Sequence, residues 1–257
     1  LGWSVEGGAL ATVVSESATT LLGLALVLKL AGRSSWPALR VVFDRRLLLR
    51  MMALNRDIMI RSFALLYAYA FFMARSADQG DSVLAANAVL EKFLLVSGYF
   101  LDGLATAAEQ LAGRAVGARY RPAFDRTVKL TAVWSFAMAG LLSLIFVLFG
   151  SAMIDFMTTS PEVRNLGRTY LVWAILTPLI AVLAFQMDGI YIGATWSGTM
   201  RNMMLLSLAL YVAAYYVLFP LLGNHGLWLA LSLFLGLRGL TLLAVCKRRA
   251  DRTFARS

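Results

Sequence analysis

One stretch, residues 83–121, restricts the architectures open to this chain more than any other. It reads VLAANAVLEKFLLVSGYFLDGLATAAEQLAGRAVGARYR. Its apolar part is about 26 residues long, enough at 1.5 Å per residue to cross a bilayer. Yet it carries Glu91, Lys92, Asp102 and Glu109. Spacings of 11 and 7 residues bring the three acids back to within about 20° of one another on a helix. Asn87, four residues before Glu91, lies near the same stripe. A charge at the centre of a membrane helix costs about 2.5 to 3.5 kcal/mol on insertion scales, so it is kept facing a bundle interior or a water-filled cavity. The stretch is expected to line something polar inside a helix bundle.

Composition points the same way. Hydrophobic residues make up 60% of the chain, charged residues only 15%, and mean hydropathy is +0.73, which together exclude a soluble domain or a disordered chain. The lipid bilayer is the expected surrounding. The net charge of +10 does not mark a nucleic-acid partner, because the basic residues fall in short blocks between apolar runs. One cysteine, Cys246 at a span boundary, and one histidine, His225 in an outer loop, offer no disulfide and no metal cluster, so no cofactor is expected. There is no HExxH or GxSxG pattern, which argues against a membrane-embedded enzyme. The chain opens Leu-Gly-Trp without an initiator methionine or a leader pattern, and is expected to be part of a longer protein.

In chain order, the first apolar run covers residues 8–31 and holds Glu16 among Thr12, Ser15, Ser17, Thr19 and Thr20. A basic, partly amphipathic linker follows over 32–56, suited to the cytoplasmic membrane surface. Further spans are expected at 57–74, within 83–121, and at 130–150, 169–193, 202–222 and 227–246, with Pro178 kinking the fifth and a basic tail at 247–257. The fourth is the most purely apolar and is expected to face lipid. Alternate connections and the tail hold seventeen of the 24 Lys and Arg, the opposite connections three. That asymmetry predicts seven crossings with the C-terminus in the cytoplasm.

Depth ranks the polar residues. Counted from the outer end, Glu91 lies about 12 Å deep and Arg238 about 18 Å, both near mid-membrane, where an Arg needs a carboxylate or carbonyls, and Glu91 is a candidate partner by depth. Arg61 and Asp102 lie at comparable depth and form a second expected pair. Asp57 and Arg61, spaced i,i+4, offer a surface alternative. Asp188 falls near the inner end of the fifth span beside Gln186 and Tyr191 and, across the turn, Arg201 and Asn202. Glu91 and Asp188 are the strongest candidates, with ion coupling and structural hydrogen bonding both open to them. Met187, Met200, Met203 and Met204 are core residues that would also suit an adaptable cavity wall.

The segments AANAVLEKFLLVSGYFLDGLATAAEQLAGRAVGA and, two spans later, FQMDGIYIGATWSGTMRNMM resemble the second repeat of the multidrug and toxic compound extrusion (MATE) transporters, in particular their DNA-damage-inducible (DinF) branch. The resemblance covers residues 55–243, and the first span resembles the last helix of the family's N-terminal repeat. It implies an all-α membrane bundle of about seven helices. Residues 1–31 would be the last N-lobe helix, 32–56 an inter-lobe linker, 57–246 a six-helix C-terminal lobe and 247–257 a cytoplasmic tail. It also implies a bacterial-type inner membrane, an N-terminal lobe absent from this chain as partner, and efflux of amphipathic, often cationic, organic compounds by alternating access in exchange for H+ or Na+. Candidates for the ion-coupling or substrate cavity are Asp188, Glu91, Asn87, Asp102, Arg238, Arg61, Gln186, Tyr191 and Asn202. Two other readings stay open: a lipid-linked oligosaccharide flippase, which calls for a more cationic cavity than these acid-rich spans supply, and a non-transporting assembly partner.

Overall fold

The structure is a computed structural model that describes residues 5–31 and 43–255. Every regular element among them is a helix: α1 (Val5–Ala31), α2 (Arg45–Ala77), α3 (Asp81–Gly117), α4 (Arg121–Met157), α5 (Pro161–Gly193), α6 (Ser197–Leu222) and α7 (Asn224–Phe254). All seven are long and apolar enough to cross a membrane. The chain is an all-α multi-pass membrane protein. It forms two compact units, Leu1–Met51 and Met52–Ser257.

In the first unit, α1 carries its polar residues by turning them on itself. Thr19 and Thr20 each donate a hydroxyl hydrogen bond, 2.8 Å, to the carbonyls of Ser15 and Glu16. Of the expected linker, residues 32–42 lie outside the described residues. Residues 45–56 are instead the opening turns of α2. Asp44 starts that helix, its Oδ1 accepting the backbone N–H groups of Arg46 at 2.8 Å and Leu47 at 3.2 Å as an N-cap does. At the other end α7 continues to Phe254, so most of the expected tail is helical too. Arg121 ties that extension down by an ion pair with Asp251 at 2.8 Å.

The second unit is assembled around α5. Between Gln186 and Tyr191 every residue of α5 is buried, as expected of a helix surrounded by others. Glycines make this possible, because small residues let helix backbones approach closely. Gly189 and Gly193 of α5 lie directly against the carbonyls of Ala105 and Glu109 on α3. On the opposite side, a Cβ at Gly239 of α7 would meet the backbone nitrogen of Ala184 at 2.6 Å. α2 is held by rings instead: Phe72 packs on Trp228 at 4.8 Å, and Phe71 on Tyr215 at 5.0 Å. α4, the most hydropathic helix, turns Val133, Trp134, Leu144 and Leu148 outward as a lipid-facing wall requires. α5 runs on through Pro178, and the turn weakened by the missing N–H is braced by Ser143 of α4, whose hydroxyl donates to the Ile175 carbonyl at 2.8 Å.

The α3–α4 and α5–α6 turns repeat one geometry on the sequences GARY and GATW. In each, the third residue is left-handed, Arg119 at φ 53° and Thr195 at φ 58°. The N–H groups of Tyr120 and Trp196 then close back on the carbonyls of Ala115 and Tyr191. This is the helix-ending motif that normally uses glycine at its left-handed position. A β-branched residue there is strained. Thr195→Gly is therefore expected to raise stability by up to about 1 kcal/mol, part of the relief being offset by glycine's greater freedom when unfolded. A thermal melt in detergent checks this, with Thr195→Val expected to melt no higher than the native chain.

Candidate functional site

Three helices each deliver one charged residue to the same buried point. On α2 the inward stripe runs Asp57, Arg61, Ala64, Ala68, Phe72 and Ser76, at helical spacings of three or four, so Arg61 enters the bundle with its apolar neighbours. On α7 the stripe Leu231, Leu235, Arg238, Leu242 and Cys246 does the same for Arg238. Asp188 stands on the fully buried turn of α5 between them.

Asp188 Oδ2 accepts from the Nη2 groups of both Arg61 and Arg238, the latter at 2.7 Å. Arg238 is the most enclosed of the three, its side chain 3% exposed, against 7% for Asp188 and 15% for Arg61. Two guanidinium groups share one carboxylate, so the triad carries a net charge of +1. Its hydrogen bonding is incomplete: Asp188 Oδ1 and the Nε atoms of both arginines are buried without a partner. Isolated charges are costly in such a setting, which makes each member dependent on the others.

Beside the triad, α2, α3 and α5 line an open-mouthed cavity of about 370 Å³. Its polar wall comes from α3, with Glu91, Lys92 and Asp102. Its aromatic wall comes from Tyr69, Tyr99 and Phe185. Glu91 is half-buried and Asp102 exposed, and among the described residues neither makes an ion pair. Glu91 and Asp102 thus share a polar stripe on α3; Glu109, further along, is not part of the cavity wall.

The expected pairings of Arg238 with Glu91 and of Arg61 with Asp102 are not made. At this level α5 stands between α3 and α7, and Asp188 takes both arginines. Asp57 does not pair with Arg61 either. Its Oδ1 binds Arg201 of α6 at 2.5 Å, while Asn202, exposed, accepts from Arg201 Nε at 3.0 Å. Asn87, one turn before Glu91, is not part of the cavity wall and is held in a buried knot: it donates to Ser76 and Asn224, both at 2.8 Å, and accepts from Asn224 at 3.0 Å and Trp228 at 2.9 Å. Gln186 faces α4, donating to the Val128 carbonyl at 2.8 Å, and the Tyr191 hydroxyl donates to the Leu242 carbonyl at 2.7 Å. These three fasten the bundle and do not line the cavity. His225, isolated in sequence, accepts at Nδ1 from Trp173 Nε1 at 3.0 Å. Among the described residues no three His, Cys, Asp or Glu stand close enough to hold a metal.

Seven helices long and apolar enough to span a membrane, with the second unit glycine-packed around α5 and holding charged side chains in its core beside an open, largely apolar cavity edged by Glu91, Lys92 and Asp102, define a multi-pass membrane protein. The comparisons make this specific. The MatE family profile matches residues 58–218, and the chain belongs to that family, whose members are transporters and not enzymes. It is 39% identical over 251 residues to DNA damage-inducible protein F of Escherichia coli (strain K12), covering 96% of this chain and 54% of that protein. It is 26% identical over 260 residues to Protein DETOXIFICATION 44, chloroplastic, of Arabidopsis thaliana, covering 98% of this chain and 47% of that protein. The chain spans about half the length of these curated relatives. Among solved structures, the Vibrio cholerae MATE transporter VcmN in its bent form shares the fold with a TM-score of 0.81 at 18% identity, over 97% of this chain and 57% of that one. An outward-facing multidrug resistance MATE family transporter of the MOP superfamily shares it with a TM-score of 0.76 at 18% identity, over 100% of this chain and 59% of that one.

Proposed function

We propose that α2 to α7 form the C-terminal lobe, and α1 the last helix of the N-terminal lobe, of a secondary active transporter that exports amphipathic, cationic organic compounds. Export proceeds by alternating access in exchange for H+ or Na+, across a bacterial-type inner membrane with the C-terminus in the cytoplasm. The observation that carries this reading is the cavity in which Glu91 and Asp102, neither in an ion pair among the described residues, outnumber the single Lys92 and stand among Tyr69, Tyr99 and Phe185. Carboxylates beside aromatic faces attract an organic cation through charge and through the ring quadrupole, while the apolar wall takes its body. A carboxylate without a fixed counter-charge is also free to exchange one cation for another. Glu91 is thus the first candidate for coupling. Asp188, already bound by two arginines, is the second.

The test is dye efflux in cells stripped of their own exporters, with the chain joined to a complete N-terminal lobe and H+ or Na+ gradients imposed. Efflux is expected to follow one of the two gradients. Glu91→Gln should lower it by roughly tenfold or more, the factor that corresponds to about 1.4 kcal/mol of lost interaction. Gradient-driven efflux that is unchanged by Glu91→Gln would discard the cavity assignment.

A further inference from the structure

Phe185 belongs to both the cavity and the triad. One face of its ring lies under the Arg238 guanidinium, 5.6 Å from the ring centroid. Its rim supplies the contribution of α5 to the cavity wall and packs toward Gly98 of α3, where a Cβ would meet Cζ at 3.6 Å and no other residue within 4 Å. Phe185 precedes Asp188 by three residues, which sets ring and carboxylate on neighbouring positions of one helix face. Arg238 therefore rests on two groups of the same turn of α5, the ring and the carboxylate. A guanidinium over a phenyl face is held by the ring quadrupole, more firmly where water is excluded. The ring stands at ordinary contact distance from where a Cβ at position 98 would lie, so glycine there leaves it about one methyl group's room and no more.

We propose that Phe185 is a positioning residue through which the cavity controls the triad. The inference rests on the cavity reading above. An organic cation lying against Glu91 competes with Arg238 for the Phe185 ring, turns it toward Gly98, and loosens Arg238 from Asp188. The contact between α5 and α7 is then weaker when the cavity is filled than when it is empty, so that occupancy on the α3 side is felt on α7. A ligand moves such an equilibrium only through its different affinity for the two states, and the shared ring supplies that difference.

The chain's single cysteine provides the readout. Cys246 lies eight residues beyond Arg238 on the same helix and is 6% exposed. The experiment follows alkylation of Cys246 by N-ethylmaleimide in the purified chain, with and without tetraphenylphosphonium as the organic cation. Saturating probe is expected to speed alkylation several-fold in the native chain and in Phe185→Tyr, which keeps the aromatic face. Phe185→Leu, which removes one of the three rings of the wall, should bind the probe more weakly and, even at saturating probe, lose the acceleration. Gly98→Val, which fills the space the ring needs, should lose it too, so the test survives a folding defect in either variant. Probe binding that weakens in Glu91→Gln, with alkylation equally accelerated in native, Phe185→Leu and Gly98→Val chains or in none of them, overturns the role of Phe185 alone. Absence of saturable binding to the native chain overturns the cavity reading, and this inference with it.

Discussion

Gly189→Ala is expected to be among the most damaging single-methyl additions in this chain. The new Cβ would fall inside the contact radius of the Ala105 carbonyl oxygen, and 2.8 Å from its carbon. Both are backbone atoms of a neighbouring helix and cannot rotate away. α3 and α5 would have to separate, and the same seam also holds Gly193 against Glu109 and Gly113 against Gly193, whose carbonyl oxygen a Cβ at position 113 would meet at 3.2 Å. Overpacking a well-filled interior costs about 1 to 3 kcal/mol where side chains can adjust, and here none of the opposing atoms can, so a loss at or above the top of that range is expected. Gly103→Ala is the matched control, since nothing lies within 4 Å of its Cβ position. It should not destabilise, and in the interior of α3 it should raise stability by up to about 1 kcal/mol. Thermal unfolding in detergent separates the two, and a Gly189→Ala protein that melts with the native one would mean that α3 and α5 are not in backbone contact.

The same seam shows what was legible beforehand. Periodicity, length and the basic blocks reveal the spanning helices, because crossing a bilayer imposes those features on each segment separately. Position along a helix is equally countable from the sequence. Azimuth is not, because it depends on which helix stands between which. Height alone makes Glu91 a candidate partner for Arg238, but α5 lies between their helices and presents Asp188 and Phe185 instead. The amides follow the same logic. Asn87 shares the stripe of Glu91, yet Asn224, 137 residues later, satisfies it in a reciprocal pair that no local spacing announces. The left-handed turn at Thr195 was hidden for a different reason, since its sequence lacks the glycine that usually marks such a position.

Asp188→Asn should separate the two roles left open for the triad. The substitution keeps the shape of the side chain but removes the one negative charge between Arg61 and Arg238, raising the net charge of the cluster from +1 to +2 in a site where Arg238 is almost fully enclosed. Removing one partner of a buried ion pair costs about 3 to 5 kcal/mol, and here two partners are stranded at once. Arg238→Gln should cost less, because it leaves Asp188 and Arg61 as a neutral pair and Arg61, 15% exposed, retains some access to its surroundings. The expected order of melting temperatures is native, then Arg238→Gln, then Asp188→Asn. Replacing all three by apolar residues of similar volume, Arg61→Met, Asp188→Leu and Arg238→Met, should restore stability to near the native level, because no uncompensated charge remains. Efflux in the restored triple variant then decides the role: transport that returns with stability makes the triad a fastening between α2, α5 and α7, and transport that stays lost in a stable protein makes its charges part of the coupling.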